Sequence, residues 1–142
     1  TLYRVLVEQK KLASDAGASY DGFKRDLGEF SVYAVPRPGV ALPVLEKAVD
    51  QVLAQAMAAA PGAKDLARAK TGLVASVIYR RDSQFALASA YGQALAIGLT
   101  VDDVNEWPQR IRAVDAADVK RAAGLLSRKE AVTGYLVPGG KH

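Results

Sequence analysis

The tetrapeptide Pro36-Arg37-Pro38-Gly39 divides this sequence into two parts with different hydrophobic periods. Proline donates no hydrogen bond to a sheet and biases the preceding residue away from the helical region, so a strand must end here. Shortly before the tetrapeptide, apolar and polar residues alternate with the period of two that is typical of strands. After it, apolar residues recur every three or four positions, which indicates helices.

These periods predict a helix end, two strands, five helices and a final strand. In the second strand Val32 and Ala34 fall on one face and Ser31 and Tyr33 on the other, because strand side chains alternate. The predicted elements are a helix over Leu2 to Leu12, a hairpin of Ala13 to Tyr20 and Leu27 to Val35 around a polar turn at Asp21 to Asp26, helices over Leu42 to Ala59, Lys64 to Arg80, Ser83 to Ile97, Thr100 toward Arg112 and Val119 to Leu126, and a strand over Ala131 to Val137.

An apolar sheet face must be covered by helices, so the expected fold class is α+β. We expect a two-layer sandwich with a mostly antiparallel sheet covered on one face, forming one domain over residues 1–142. Three strands are few for so many helices. We therefore expect the domain to be truncated, with strands missing that a preceding segment or another chain supplies.

Composition excludes several kinds of site. The single histidine is the final residue, His142, and there is no cysteine, whereas a zinc site needs about three ligands held in a folded pocket. Asp15, Ser14 and Ser19 have no histidine to complete a nucleophilic triad. We expect no metal, cofactor or catalytic residue in this chain.

The net charge is +4, but acidic and basic residues are interleaved, so we expect no nucleic-acid site. No stretch approaches the about 20 apolar residues that cross a bilayer, so we expect no membrane insertion.

The order of elements and several strings resemble the second half of a domain from the insulinase or pitrilysin family of zinc metallopeptidases, which includes mitochondrial processing peptidase. The similarity spans nearly the whole chain. The strings are Leu6-Val7-Glu8-Gln9-Lys10-Lys11-Leu12-Ala13, Leu27-Gly28-Glu29-Phe30-Ser31-Val32-Tyr33-Ala34, Asp65-Leu66-Ala67-Arg68-Ala69-Lys70, Ile111-Arg112-Ala113-Val114 running into Ala117-Asp118-Val119, and Gly134-Tyr135-Leu136-Val137-Pro138.

The resemblance implies a clamshell of paired domains around a chamber, with zinc on a His-x-x-Glu-His helix of one domain. That motif is absent here, so the strings resemble the C-terminal, non-catalytic partner domain. In the family, this domain often supplies an arginine and a tyrosine seven residues apart that contact substrate. The matching positions here are Val7 and Ser14, which cannot replace them, and this departure favours a shape-forming role.

The sequence analysis thus predicts a non-catalytic peptidase domain that lines a peptide-binding chamber, while a catalytic domain or subunit supplies zinc. The substrate-facing candidates are Ser14, Ser31, Tyr33, Thr133 and Tyr135. Of these, all but Ser14 are expected on the open sheet face, together with Tyr20. The alternative is an assembly module that binds another subunit, or a second copy as a homo-oligomer, through exposed sheet edges. The residues do not fix the compartment; the resemblance favours the bacterial periplasm and leaves the cytoplasm open.

Overall fold

The computed structural model describes residues 2–80 and 82–137. Pro138 and His142, which the sequence analysis names, lie outside the described residues. A short π-helix leads into a hairpin, and helices make up most of the rest. The elements are the π-helix Arg4–Gln9, strands β1 (Ala13–Asp21) and β2 (Glu29–Pro36), helices α1 (Leu42–Ala58), α2 (Ala63–Arg80), α3 (Gln84–Ala96), α4 (Val101–Ala113) and α5 (Ala116–Ala123), and a 3₁₀ turn Arg128–Glu130. The predicted α+β class is confirmed.

The main hydrophobic core lies between the π-helix, the inner face of the hairpin and α1. Leu6 is fully buried, and Leu45 and Val52 of α1 are almost as well covered. Val32 and Ala34 of β2 pack against this cluster. Helix α1 therefore covers one face of the sheet, and the alternation read from β2 correctly predicts which side chains point toward it.

Arg37 fastens the π-helix to the hairpin. Its Nε donates to the Ala13 carbonyl at 3.0 Å, and its Nη2 donates to the Val7 carbonyl at 3.2 Å. Its backbone amide also donates to the Leu12 carbonyl at 3.0 Å. Arg37 thus satisfies the carbonyl of Val7 in the π-helix and those of Leu12 and Ala13 at the start of the hairpin.

The remaining helices pack more loosely. Helices α3 and α4 contribute buried Ala94 and Pro108, and α2 contributes buried Val74. Lys70 of α2 donates through Nζ to the Val114 carbonyl, which follows α4, at 2.7 Å. This charge-assisted bond and the hydrogen bond from the Tyr91 hydroxyl of α3 to Oδ1 of Asn105 in α4, at 2.8 Å, supplement a small set of apolar contacts between these helices.

Helices α4 and α5 each begin with a capping box. The Thr100 hydroxyl accepts from the Asp103 amide at 3.1 Å, and the Asp103 carboxylate accepts from the Thr100 amide at 2.9 Å. Hydrogen bonds from Thr100 hold the pKa of Asp103 below its usual range, since they favour the charged form. Asp115 and Asp118 form the same pair before α5. These polar residues mark the N-termini of α4 and α5.

The strand predicted over Ala131 to Val137 is wrong. The described residues contain a two-stranded sheet, β1 paired antiparallel with β2, and the 131–137 segment is irregular. Its alternating pattern favours a strand, but strand formation requires a neighbour that supplies ladder hydrogen bonds. Within residues 2–80 and 82–137 no backbone group pairs with those of residues 132–137.

The N-terminal helix also differs from its prediction. It is a π-helix that ends at Gln9, and Lys11 takes a left-handed conformation at φ 54° before the strand begins. The predicted helix was based on the spacing of Leu2, Val5, Leu6 and Leu12. This spacing cannot distinguish a π-helical turn from an α-helix, because both bury one stripe of side chains.

The core prediction is that Leu6→Ala lowers the free energy of unfolding by about 2–5 kcal/mol, because it removes a fully buried side chain and leaves a cavity. Urea denaturation followed by circular dichroism measures this loss. The control is Leu27→Ala at a side chain that is 90% exposed, where we expect a change within about 0.5 kcal/mol. Equal losses in both variants would contradict the position of the core.

Candidate functional site

The candidate site is the outer face of the hairpin, opposite α1. Because Val32 and Ala34 point into the core, Ser31 and Tyr33 point away from it. In the observed register Ser31 lies opposite Ser19, and Tyr33 lies opposite Gly17. Residues directly opposite each other share a face, so these four positions form the middle of the outer face.

Tyr33 crosses β1 on this face. A Cβ atom at Gly17 would lie 2.6 Å from Cε1 of the Tyr33 ring, so only glycine leaves room for the ring there. The Tyr33 hydroxyl donates to Oδ2 of Asp15 at 3.1 Å, and Oδ1 of Asp15 accepts from the Ala16 amide at 2.9 Å. This hydrogen bond to Asp15 raises the pKa of Tyr33 above its usual value. The ring is thereby fixed while half of it stays open to solvent.

A second polar group lies nearer the hairpin turn. Oε1 of Glu29 accepts from the Ser31 hydroxyl at 2.8 Å, and Oε2 accepts from Nζ of Lys24 at 2.8 Å. The Lys24 ammonium also lies 3.6 Å from the Asp21 carboxylate. The hydrogen bond from Lys24, followed by that from Ser31, holds the pKa of Glu29 below its usual range. Glu29 is therefore a charged acceptor with both oxygens engaged.

Ser14 lies at the irregular end of the hairpin. The register of β1 shifts between Ala13 and Asp15, and the Ser14 hydroxyl donates to the Val35 carbonyl at 3.3 Å. The bulge places Asp15, rather than Ser14, in contact with Tyr33. Ser14 thus belongs to the hairpin as predicted, with its hydroxyl proton already used within it.

Thr133 and Tyr135 lie elsewhere. The Thr133 hydroxyl accepts from Arg128 at 2.9 Å, and the Tyr135 hydroxyl donates to Glu46 of α1. Arg128 also pairs with Glu46 and with Asp50, whose Oδ1 is 3.0 Å from its Nε. Since α1 covers the inner face of the hairpin, the five candidates do not share one face. The expectation that Thr133 and Tyr135 join the others fails because the strand that should carry them is not formed.

Two residues of the outer face were missed by sequence reasoning. Asp15 and Gly17 alternate along β1, and that spacing alone suggests a shared face. The pairing of Gly17 with Tyr33 depends on the bulge, which nothing in the sequence marks. Val7, which the resemblance aligns with a substrate-binding arginine, is 7% exposed and belongs to the core, so its side chain is not available to a substrate.

Possible metal ligands are not grouped together in the described part of the chain. There, no three side chains of the His, Cys, Asp and Glu types lie close enough together to hold an ion. The carboxylates on the outer face already accept hydrogen bonds from Tyr33, Ser31 and Lys24. These residues do not fit zinc, and the arrangement offers oriented donors and acceptors for binding. None of the described helices is long and apolar enough to span a bilayer.

Comparison with known proteins gives a fold likeness. No family model matches the chain, and no curated protein matches it. A solved structure, a protease from Helicobacter pylori, matches with a TM-score of 0.72 at 21% identity, over 87% of this chain and 29% of that chain. The chain therefore has the fold of one segment of that protease and spans less than a third of its length.

The site prediction concerns the bond between Tyr33 and Asp15. Asp15→Asn removes the acceptor charge that favours the neutral phenol, so the pKa of Tyr33 should fall back toward the usual value of about 10. Because the folded-state pKa is raised, this bond stabilises the fold below the usual tyrosine pKa, and that contribution is lost as the pH rises through the raised value. Nuclear magnetic resonance titration of the Tyr33 ring measures the change.

Asp21→Asn is the matched control for this titration. It removes a carboxylate of the same hairpin that contacts Lys24 and not Tyr33. We expect it to leave the Tyr33 titration unchanged. An unaltered titration in Asp15→Asn, or equal shifts in both variants, would contradict the geometry of the outer face.

Proposed function

We propose that this chain is a non-catalytic domain of an insulinase-type zinc peptidase and forms part of its peptide-binding chamber. In this proposal a separate catalytic domain supplies zinc and hydrolysis. The observation that supports it is the fold likeness to a protease over 87% of the chain, since strings spread along the same sequence resemble a family of peptidases. A fold alone does not determine chemistry, so the proposal also depends on the residues of the hairpin.

The outer face of the hairpin suits binding better than catalysis. It offers an exposed aromatic ring, Tyr33, held by Asp15, and a hydroxyl, Ser31, held by Glu29. Fixed aromatic and polar groups contact a peptide at little entropic cost, because their own rotamers are already restricted. The described residues place no histidine, cysteine or metal cluster beside them. Nucleophilic or metal-assisted hydrolysis would therefore need groups from another domain.

Backbone hydrogen bonds provide a second means of holding a peptide. Both strands of the hairpin have an outer edge that no other described strand covers. An extended peptide that adds to such an edge gains main-chain hydrogen bonds without strict sequence preference. A chamber wall that accepts varied peptides needs this property.

The alternative proposal is an assembly module, and the exposed apolar side chains favour it. Val132 and Leu136 are each 99% exposed, and large exposed apolar residues grouped together mark interaction surfaces. The two proposals are compatible if the subunit bound is the catalytic one. They differ in whether the outer face contacts a substrate.

The experiment replaces Tyr33 in the complete peptidase. Tyr33→Ala removes the ring from the proposed binding face, so KM should rise about three- to tenfold, the loss expected for roughly one contact, while kcat stays nearly constant. Steady-state hydrolysis of a fluorogenic peptide measures both constants. The control is Tyr79→Ala on α2, which removes a ring that is 76% exposed and far along the chain from the hairpin.

An unchanged KM in Tyr33→Ala would argue against substrate contact at the outer face and would favour the assembly module. A fall in kcat at constant KM would place Tyr33 in the chemical step and contradict a non-catalytic role. Thermal unfolding of both variants shows whether either change reflects lost stability.

A further inference from the structure

An open groove lies between the first half of α1 and the link that joins the π-helix to β1, and we refer to it as the lysine groove. Its volume is about 440 Å³, and sites that bind ligands commonly enclose about 300–1,000 Å³. None of the residues that line it belongs to the outer face of the hairpin. The lysine groove is therefore separate from the candidate site.

The floor of the lysine groove is apolar. It is formed by Leu12, Pro43, Val44 and Ala48. Ala48 belongs to the main core and Leu12 packs against it, whereas Val44 is 52% exposed. A ligand that covers Val44 removes apolar surface from water, and this removal favours binding.

The side chains at the rim of the groove present hydrogen-bond donors. Lys10 and Lys47 supply ammonium groups, and Nζ of Lys10 donates to Oε1 of Gln51 at 3.4 Å. This contact engages the acceptor atom of Gln51 and leaves its amide N–H groups to a ligand. Among the described residues, no carboxylate lines the groove and neither lysine forms an ion pair. Such a rim attracts an anionic group that accepts hydrogen bonds.

The acidic residues of α1 lie on another side of the helix. Each residue of an α-helix turns by about 100° from the one before, so Glu46 and Asp50 fall to one side of Lys47, while Ala48 and Gln51 fall to the other. Glu46 and Asp50 also pair with Arg128. This arrangement leaves the positive charge of Lys47 available to the groove.

The backbone at Lys11 brings its two neighbours to the same groove. Lys11 has a φ of 54°, a left-handed conformation that is uncommon for residues other than glycine. Lys10 and Leu12 line the groove, whereas Lys11 between them does not. Residues in such sparsely populated conformations are often found where a chain contacts a ligand. The turn at Lys11 thus sets one ammonium group beside one apolar side chain.

We propose that the lysine groove binds an acidic, apolar segment of a partner protein. An apolar side chain of that segment covers Val44, and carboxylates on either side of it meet Lys10 and Lys47. This inference goes beyond the proposed function, because it concerns a partner and not a substrate and holds whether or not the complete protein hydrolyses peptides.

A fatty acid has a similar charged head and apolar body but fits the lysine groove less well. Small ligands are usually enclosed over most of their surface, and this groove is open to solvent along its length. A protein segment needs cover on one side only, because the rest of the partner shields the other side. The open shape therefore favours a protein.

The test measures the dissociation constant of a fluorescent peptide amide, Gly-Glu-Leu-Glu-Gly, for the complete protein by fluorescence anisotropy. We expect saturable binding below about 1 mM, the range of small, weak contacts. The matched probe is Gly-Gln-Leu-Gln-Gly with the same label, which keeps the leucine and lacks the charges. It should bind at least about threefold more weakly, because it forms no ion pair with the lysines.

A double variant, Lys10→Gln with Lys47→Gln, removes the charges of the rim. The dissociation constant of the charged peptide should rise about three- to tenfold, and that of the glutamine peptide should stay unchanged. The control is Lys64→Gln with Lys120→Gln, which removes the same charge from α2 and α5 and should affect neither peptide. All four side chains are exposed, so we expect thermal unfolding to be unaltered in both double variants.

Val44→Glu places a carboxylate inside the lysine groove. The first turn of α1, where Val44 lies, tolerates an acid, because the positive end of the helix dipole favours it. The new carboxylate competes for the lysines and repels the charged peptide, so the dissociation constant should rise at least about tenfold. Val44→Gln removes the same apolar surface without adding charge, and its effect should be smaller.

Several results would overturn the proposal. Equal binding of the two peptides, or equal losses in the two double variants, would show that the groove does not recognise charge. The absence of saturable binding would contradict the proposed chemistry of the partner. Binding of dodecanoate in place of the charged peptide, lost in Lys10→Gln with Lys47→Gln, would identify a fatty acid instead. None of these readouts involves peptide hydrolysis, so failure here is distinguishable from failure of the proposed function.

Discussion

Burial of one apolar stripe of α1 against the π-helix and the hairpin is the interaction on which the rest depends. Leu6, Leu45 and Val52 meet in this layer, and the hydrophobic free energy of such contacts scales with the area removed from water. Because this packing holds the inner face of β2, it directs Ser31 and Tyr33 outward. Arg37 closes the same unit through the carbonyls of Val7 and Ala13. The polar face and the core are thus two results of one strand alternation.

Much of the fold could be predicted where the signal is local. The hairpin, the five helices and both capping boxes follow from alternation, periodicity and polar start residues, and Gly98 ends its helix at φ 90° as its position suggests. The strand at 131–137 could not be settled in this way, because a strand depends on a neighbour that the sequence of the segment does not contain.

In the candidate site, too, local pattern predicts some features, while others depend on how the strands pair. Ser31 and Tyr33 could be placed on the outer face from alternation alone. Asp15 and Gly17 could not be linked to Tyr33, because the bulge in β1 changes the register by one residue and a one-residue change decides which side chains meet. Thr133 and Tyr135 were assigned to the same face only through their strand, and in the structure they bind α1 instead. Local pattern thus predicts the direction of a side chain, while pairing decides its neighbours.

The central proposal is that this chain contributes binding surface to a peptidase whose metal chemistry lies in another domain. The most direct measurement is the zinc content of the purified 142-residue chain, determined by mass spectrometry after exhaustive dialysis, together with an assay of oligopeptide cleavage by the same sample. The account predicts no stoichiometric zinc and no hydrolysis without a partner domain. One tightly held equivalent of zinc, or cleavage by the isolated chain, would contradict it.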